Sequence, residues 1–380
     1  MGIYEINAKT ILRKYRKIDS WFLSRYGMNL YRGCTHNCVY CDGRSEGYYM
    51  KGEFGKDIAV KINAIEILQG ELNRLEKNNP LKKGFISLGG GVGDSYQPIE
   101  ESYQLTRKTL TLIEKYNFPV HILSKSTLIK RDIDILKKIN EKNRAIVSLS
   151  FSSVNDEIGA IFEPGVSSPS ERLETLRLFK NEGIPCGMFL LPVIPFITDK
   201  LDLLEDAVRK ASEIGLDFIN FGGMTLKEGR QRDYFLETLK KHYPAFVFEY
   251  ENLFQKDKYG KLASEYYQTI NCLFNDMAKA FKISPRIPSR LYKDILEEND
   301  LIIVILEHID YLLKIRGKRS LFGYAAYSIS KIKEPLSTIR KTLKNIKGVS
   351  VVTERIIREI LDTRQSTYFK NLLKDYLNST

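Results

Sequence analysis

Between residues 27 and 222, short apolar runs alternate with longer stretches of helical periodicity. The runs fall at 28–31, 85–88, 120–124, 146–151, 187–191 and 218–221, and the intervening periodicity predicts helices near 59–77, 99–116, 131–140, 169–182 and 200–214. Strands that alternate with helices pair in parallel through right-handed crossovers. One helix start is marked in full: Ser168 as N-cap, Pro169 at the first helical position, Glu171 three residues on, and Gly183 just past the last turn. Along 145–153, Ser148, Ser150 and Ser152 share one face while Val147, Leu149 and Phe151 share the other. A flat sheet covered on both sides wants apolar residues on both faces. Small hydroxyls on one face instead suit the inside of a curved sheet that holds a polar ligand. The predicted fold class is therefore α/β, a partial (β/α)6 TIM-like barrel.

The pattern changes after about residue 245. Aromatic and charged residues crowd 243–267, a helix is predicted over 260–282, and Pro285 and Pro288 break the chain. From 291 onward only helical periodicity remains, at 301–315, 323–332, 336–346, 352–363 and 368–377. The division that follows is a barrel over 1–245, a helical linker over 246–290 and an all-helical domain over 291–380.

Composition places this pattern in a class. Hydrophobic residues make up 43% and charged residues 28% of the 380, which is ordinary for a globular protein. No run approaches the roughly 18 apolar residues of a membrane span, and the first residues lack the apolar core of a signal peptide. No membrane role is expected, and the cytoplasm is the expected compartment. Five cysteines cannot all pair, and three of them crowd into eight residues, which fits a metal site in a reducing compartment. The net charge of +12 is concentrated: residues 314–347 hold ten Lys/Arg against the single acid Glu334. A local basic block is the footprint of a nucleic-acid contact, or a solvated lysine-rich face.

The crowded segment reads Arg32-Gly33-Cys34-Thr35-His36-Asn37-Cys38-Val39-Tyr40-Cys41-Asp42. Gaps of three and two residues between the cysteines differ from the paired knuckles of a structural zinc site. Three thiolates can hold three irons of a 4Fe-4S cluster and leave the fourth open, and an open metal position is where chemistry occurs. Zinc held by Cys34, Cys38, Cys41 and His36 is the alternative, as are reduced cysteines without metal.

With an aromatic, Tyr40, just before the third cysteine and a strand before the first, this motif resembles that of the radical S-adenosylmethionine (SAM) superfamily. The resemblance implies that Cys34, Cys38 and Cys41 bind a 4Fe-4S cluster, that SAM is the second cofactor, and that an external donor such as flavodoxin or ferredoxin supplies electrons. It also implies that the turn Gly89-Gly90-Gly91-Val92-Gly93-Asp94 after the second strand meets the SAM amino group, at Gly90 and Gly91 or through Asp94. Further segments are similar to the spore photoproduct lyase group over most of 20–225: Asp94–Glu100, Leu123–Ser126 with Arg131 and Asp132, Glu163-Pro164-Gly165 before Ser168–Arg172, and Pro192–Pro195 with Asp199. That likeness implies Lys125, Ser148, Ser150 and Arg172 around SAM. One departure stands out. The lyases carry a hydrogen-donating cysteine shortly after the second strand, and 89–96 has none, leaving Cys186, Cys272 or a tyrosine such as Tyr96 to consider.

The C-terminal part, through Tyr311–Gly317, Phe322, Ala325–Tyr327 and Leu343–Val349 with Glu354–Thr363, resembles the helix-hairpin-helix domain of X-family DNA polymerases. A glycine turn between helices exposes backbone N–H groups, and the following helix N-terminus favours a phosphate. Lys344, Lys347, Gly348 and Ser350 are the residues implied to contact nucleic acid. Ser350 replaces that family's second glycine, and Ile356 stands where those polymerases have a Schiff-base lysine, so lyase chemistry is not expected there. The expected function is a radical SAM enzyme acting on DNA, by lesion repair or base modification. The rivals are an enzyme modifying RNA or protein and a nucleic-acid-binding protein with a structural cluster.

Overall fold

A computed structural model describes residues 2–78, 84–256 and 259–378. In chain order its strands are β1 (Ile3–Ile6), β2 (Arg13–Asp19), β3 (Ser24–Met28), β4 (Tyr31–Arg32), β5 (Ile58–Lys61), β6 (Phe85–Leu88), β7 (Val120–Ser124), β8 (Ala145–Phe151), β9 (Cys186–Val193) and β10 (Phe218–Gly223). Seven of them form a curled sheet in the order β10-β9-β8-β7-β6-β3-β2. The six from β3 to β10 run parallel, and β2 closes one edge antiparallel to β3. This is the partial barrel that the alternating pattern predicts, with one added strand and with the first parallel strand at Ser24–Met28 rather than 28–31, where only Tyr31 is in a strand of the other sheet. A small second sheet has the order β1-β5-β4.

Period-two alternation decides the layers. Ile86, Ile122, Val147, Leu149, Met188 and Ile219 share one core with Leu72, Ile113, Leu136, Leu176 and Leu204 of the outer helices Ala64–Asn78, Leu105–Lys115, Ile133–Lys142, Pro169–Asn181 and Leu201–Glu213. The third of these begins later than the predicted 131, because Ser126 caps a 3-10 turn over Thr127–Asp132 first. The first likewise starts at 64, since 58–61 is the strand β5.

The inward positions belong to another core. Phe85, Ile146, Phe189 and Phe218 pack with Ile302, Ile305, Leu306 and Ile309 of helix Glu298–Lys314. Gly187 is required here, since a Cβ would lie 2.1 Å from the Phe218 ring. Phe189 and Phe218 meet edge to face at 6.1 Å, and His121 meets Phe218 at 6.2 Å, giving the barrel an aromatic floor. The C-terminal helices thus share a core with the barrel interior. A buried ion pair, Arg25 to Asp300, adds a polar tie from β3 to the same helix. Helix Ser264–Ala280, in the segment expected as a linker, packs on β10 and on Leu201–Glu213.

One predicted helix differs in form. Over 336–346 the chain makes only a 3-10 stretch, Arg340–Asn345. Thr338 and Thr342 hydroxyls donate to the carbonyls of Pro335 and Ile339, offering the backbone a competing three-residue turn. No helix among the described residues is long and apolar enough to cross a membrane.

Candidate cluster and cofactor site

The strands end at one mouth, and the loop after β4 is folded back across it. Gly33, at φ +89°, makes the turn into Cys34; a Cβ there would lie 2.7 Å from the Asp57 carbonyl. Val39 N donates to Phe162 O at 2.9 Å and Thr35 N to Gln97 Oε1 at 3.1 Å. The buried Arg44 stacks 3.5 Å from the Tyr234 ring centroid and donates to the Cys38 carbonyl at 3.3 Å. Asp42 is tied across the mouth to Thr225, Lys227 and Gln231 at 2.7, 2.8 and 3.0 Å. The cysteine loop is therefore held by three separate parts of the chain.

Cys34, Cys38 and Cys41 are all free and line one cavity of about 420 Å³. Burial and the Asp94 charge push the Cys34 thiol well up; burial pushes Cys38 up to about 12 and raises Cys41. A cationic iron core supplies the charge that favours the thiolates in such a place. Among the described residues, no group of three or more His, Cys, Asp or Glu side chains is set to hold a single metal ion. His36 instead faces Asp94, Nδ1 to Oδ2 3.5 Å, and burial lowers its pKa. A cluster asks for a different arrangement, one thiolate per iron.

The glycine turn lies beside the cysteine loop: a Cβ on Gly43 would lie 2.7 Å from the Val92 side chain, and one on Gly93 3.5 Å from the Gly33 carbonyl. Gly90, Gly91, Gly93 and Asp94 line the same cavity. A Cβ on Gly91 would meet nothing within 4 Å, whereas one on Gly89 would lie 1.9 Å from the Leu123 carbonyl. The open space before Gly91 is room for a ligand, and Gly89 is fixed by the fold. Asp94 organises the turn: it accepts from Ser124 Oγ at 2.9 Å, Lys125 N at 2.8 Å and Tyr96 N at 2.8 Å. Three free thiols and an open glycine cradle that line one cavity fit a cluster with SAM beside it.

A charged network borders the same cavity. Lys125 Nζ donates to Ser150 Oγ at 3.0 Å and to Glu163 Oε1 at 2.9 Å. Tyr40 Oη and the fully buried Arg172 also donate to the Glu163 carboxylate. Burial alone would raise the Glu163 carboxyl, but the Arg172 and Lys125 charges outweigh it and hold it far below the usual range. Tyr40, Lys125 and Ser150 line the cavity, whereas Arg172 stands behind Glu163. Ser148 lies one layer deeper, its hydroxyl bonded to His121 Nε2 at 2.8 Å.

Two spare thiols lie elsewhere. Cys186 is buried in the outer core with Sγ on the Ile184 carbonyl, and Cys272 is exposed on helix Ser264–Ala280. Tyr96 lines a separate cavity of about 480 Å³ on the far side of His36. The sequence reading misses Glu163 as the hub of the network and Trp21, Phe22 and Met224 as lining. Glu163 stands in a Glu-Pro-Gly triplet already notable in the sequence; the apolar three carry no local signal.

Among the C-terminal helices, Gly348 takes φ +83°, and a Cβ on it would lie 2.6 Å from the Tyr324 ring. Ser350 caps helix Val351–Thr363, its Oγ accepting from Thr353 N at 3.1 Å. Lys344 and Lys347 are exposed beside this turn. Lys318, Arg319, Lys331, Lys333 and Lys341 are exposed as well, without an acidic partner among the described residues; Tyr324, beside Gly348, and Tyr327, under the Lys331 ammonium at 4.1 Å, are half exposed.

A half-barrel whose strand ends carry three such thiols and a glycine cradle is the architecture of a radical SAM domain, and residues 28–207 match the sequence profile of the Radical SAM superfamily. The domain's cofactors are a 4Fe-4S cluster and SAM. More particularly, the fold is similar to that of spore photoproduct lyase: a structure of that enzyme complexed with dinucleoside spore photoproduct superposes with a TM-score of 0.53 at 16% identity, over 73% of this chain and 79% of the other. Among curated relatives, an uncharacterized protein of Mycobacterium tuberculosis is 28% identical over 260 residues, 67% of this chain and 74% of its own. An uncharacterized protein of Methanocaldococcus jannaschii is 29% identical over 248 residues, 65% of this chain and 86% of its own.

Proposed function

We propose that this chain is a radical SAM enzyme that acts on DNA, repairing a lesion or modifying a base, with its C-terminal domain holding the DNA backbone. When bound and reduced, the cluster and SAM supply a 5′-deoxyadenosyl radical that abstracts hydrogen from a substrate. The chain's own residues prepare the place. Cys34, Cys38 and Cys41 offer three thiolates, and the Gly90-Gly91 cradle leaves room for the amino-acid part of SAM. Lys125, fixed by Ser150 and Glu163, presents an ammonium where a carboxylate can pair with it. Trp21, Phe22, Leu191 and Met224 wall the cavity with apolar surface, which excludes water from a reactive intermediate.

The observation that carries the DNA reading is the set of exposed basic side chains without an acidic partner among the described residues, Lys344 and Lys347 beside the Gly348 turn and the others along 318–341, with the half-exposed Tyr324 and Tyr327 between them in the sequence. Backbone-directed lysines and helix N-terminal N–H groups hold phosphates without reading sequence. A base inside a duplex has to leave the stack to reach the barrel mouth, at a cost of a few kcal/mol, and a damaged base leaves more readily. The cytoplasm, with an acidic electron carrier such as flavodoxin or ferredoxin, is the setting this reading requires. Binding to duplex DNA and to tRNA, measured across a salt series, tests it. Tighter, steeply salt-dependent binding to DNA is expected; tighter binding to tRNA would transfer the reading to RNA.

A further inference from the structure

A second cavity of about 470 Å³ opens directly from the cofactor cavity, and the two share Trp21, Leu191, Gly223, Met224 and Thr225 as lining. Its remaining wall comes from the segment between the barrel and the C-terminal helices: Leu262 and Tyr267, with Lys261 and Gln268 exposed at the rim. Two successive glycines end β10 at this point, where its register against β9 shifts. A Cβ on Gly223 would lie 2.9 Å from the Tyr267 ring, and one on Gly222 would lie 3.2 Å from Leu191 Cβ. The missing side chain at Gly223 lets Tyr267 approach the strand end, where Trp21 packs beside Gly222. Tyr267 is backed by Phe221, ring centroids 6.3 Å apart, and Trp21 by the buried Arg286 guanidinium, 4.8 Å from its ring centroid. Two aromatic rings are thus held in place from behind while lining one slot.

Resting on the nucleic-acid reading above, we propose that this slot is the substrate subsite and takes one unstacked base of a DNA strand. Trp21 and Tyr267 supply flat apolar surface for the base, as single-strand binding sites do. The Gln268 amide can donate to and accept from a base edge, and the Lys261 ammonium at the rim suits the adjoining phosphate. The shared lining puts a base held in the slot beside the cavity that would hold SAM. A peptide substrate would find little here to pair its backbone, since Leu262, Tyr267, Met224 and Trp21 offer mainly apolar surface.

Trp21 is the only tryptophan in the chain, so its emission reports on the slot. The anaerobic holoprotein with saturating SAM is titrated with a thymidine trinucleotide, while anisotropy of a labelled duplex reads DNA binding by the whole chain. Saturable quenching of Trp21 is expected. Tyr267→Leu should raise the half-quenching concentration about tenfold, and Lys261→Ala, an exposed change that leaves the fold intact, about threefold. Duplex binding without any trinucleotide quenching overturns the slot and leaves the DNA reading standing. Absence of both signals overturns the two together. Quenching that neither substitution alters places the base elsewhere and overturns the slot.

Discussion

Lys125 and Glu163 form an ion pair within the wall of the cluster cavity, Nζ to Oε1 2.9 Å, and Glu163 is at the same time the partner of the fully buried Arg172. One carboxylate therefore neutralises two cations in a place that water barely reaches. Removing it with Glu163→Ala leaves the buried Arg172 charge uncompensated and the half-buried Lys125 without its partner, a change that destabilises by about 3–5 kcal/mol. Urea denaturation should show the loss, with Glu163→Gln falling between the variant and the parent. Equal stability of all three would mean that the network carries no structural weight.

The glycine turn separates fold from binding. Gly89→Ala is expected to prevent stable folding, because its Cβ would meet the Leu123 carbonyl at 1.9 Å. Gly91→Ala meets nothing and should melt at the parent temperature, yet bind SAM about tenfold more weakly by calorimetry, since the methyl enters the ligand's space. Undiminished SAM affinity in Gly91→Ala would move the cofactor away from this cradle.

Burial sets a pH dependence of stability. His121 is lowered to about 4 and His308 to about 3 from an ordinary 6.5, both chiefly by burial. Each is neutral in the fold, so below pH 6.5 the unfolded chain binds the extra protons. Stability is then full above about pH 6.5 and is lost as pH falls toward 4. At 1.4 kcal/mol per pKa unit, His121 alone withdraws about 3 kcal/mol over that range. His121→Gln should flatten the fall when denaturation midpoints are compared at pH 7 and pH 4.5.

The C-terminal contacts should appear in salt dependence. Lys344→Ala with Lys347→Ala is expected to reduce the slope of log affinity for duplex DNA against log salt by about two, one for each lost phosphate contact. An unchanged slope would remove this turn from the interface.

How much of this is legible in the sequence follows from how locally each feature is encoded. The cluster motif is fully local, three cysteines within eight residues. The parallel strands declare themselves because β6 to β10 are buried on both faces and read as apolar runs. β2 does not: of Arg13–Asp19 only Ile18 is buried, so its charged residues conceal a strand whose pairing is supplied by β3. The small second sheet is hidden for a similar reason, its strands being only two to four residues long. Within the site, Lys125 and Ser150 are legible as strand-end polar residues, but the hub Glu163 comes from a loop after helix Asp156–Phe162 and is recognised only once the fold brings Arg172 and Tyr40 to it. The shared core between helix Glu298–Lys314 and the barrel floor is the least legible feature, because nothing in an apolar helix says which apolar surface it will cover.

The most direct measurement is anaerobic reconstitution with iron and sulfide, followed by SAM and dithionite, with 5′-deoxyadenosine quantified by chromatography. The parent chain and Cys186→Ala, whose thiol lies in the outer core, should both bind about four irons and release 5′-deoxyadenosine, while Cys38→Ala should release none above background. Equal product from the parent and Cys38→Ala, or a parent preparation that holds one zinc and no iron, would contradict an open iron at these three thiols.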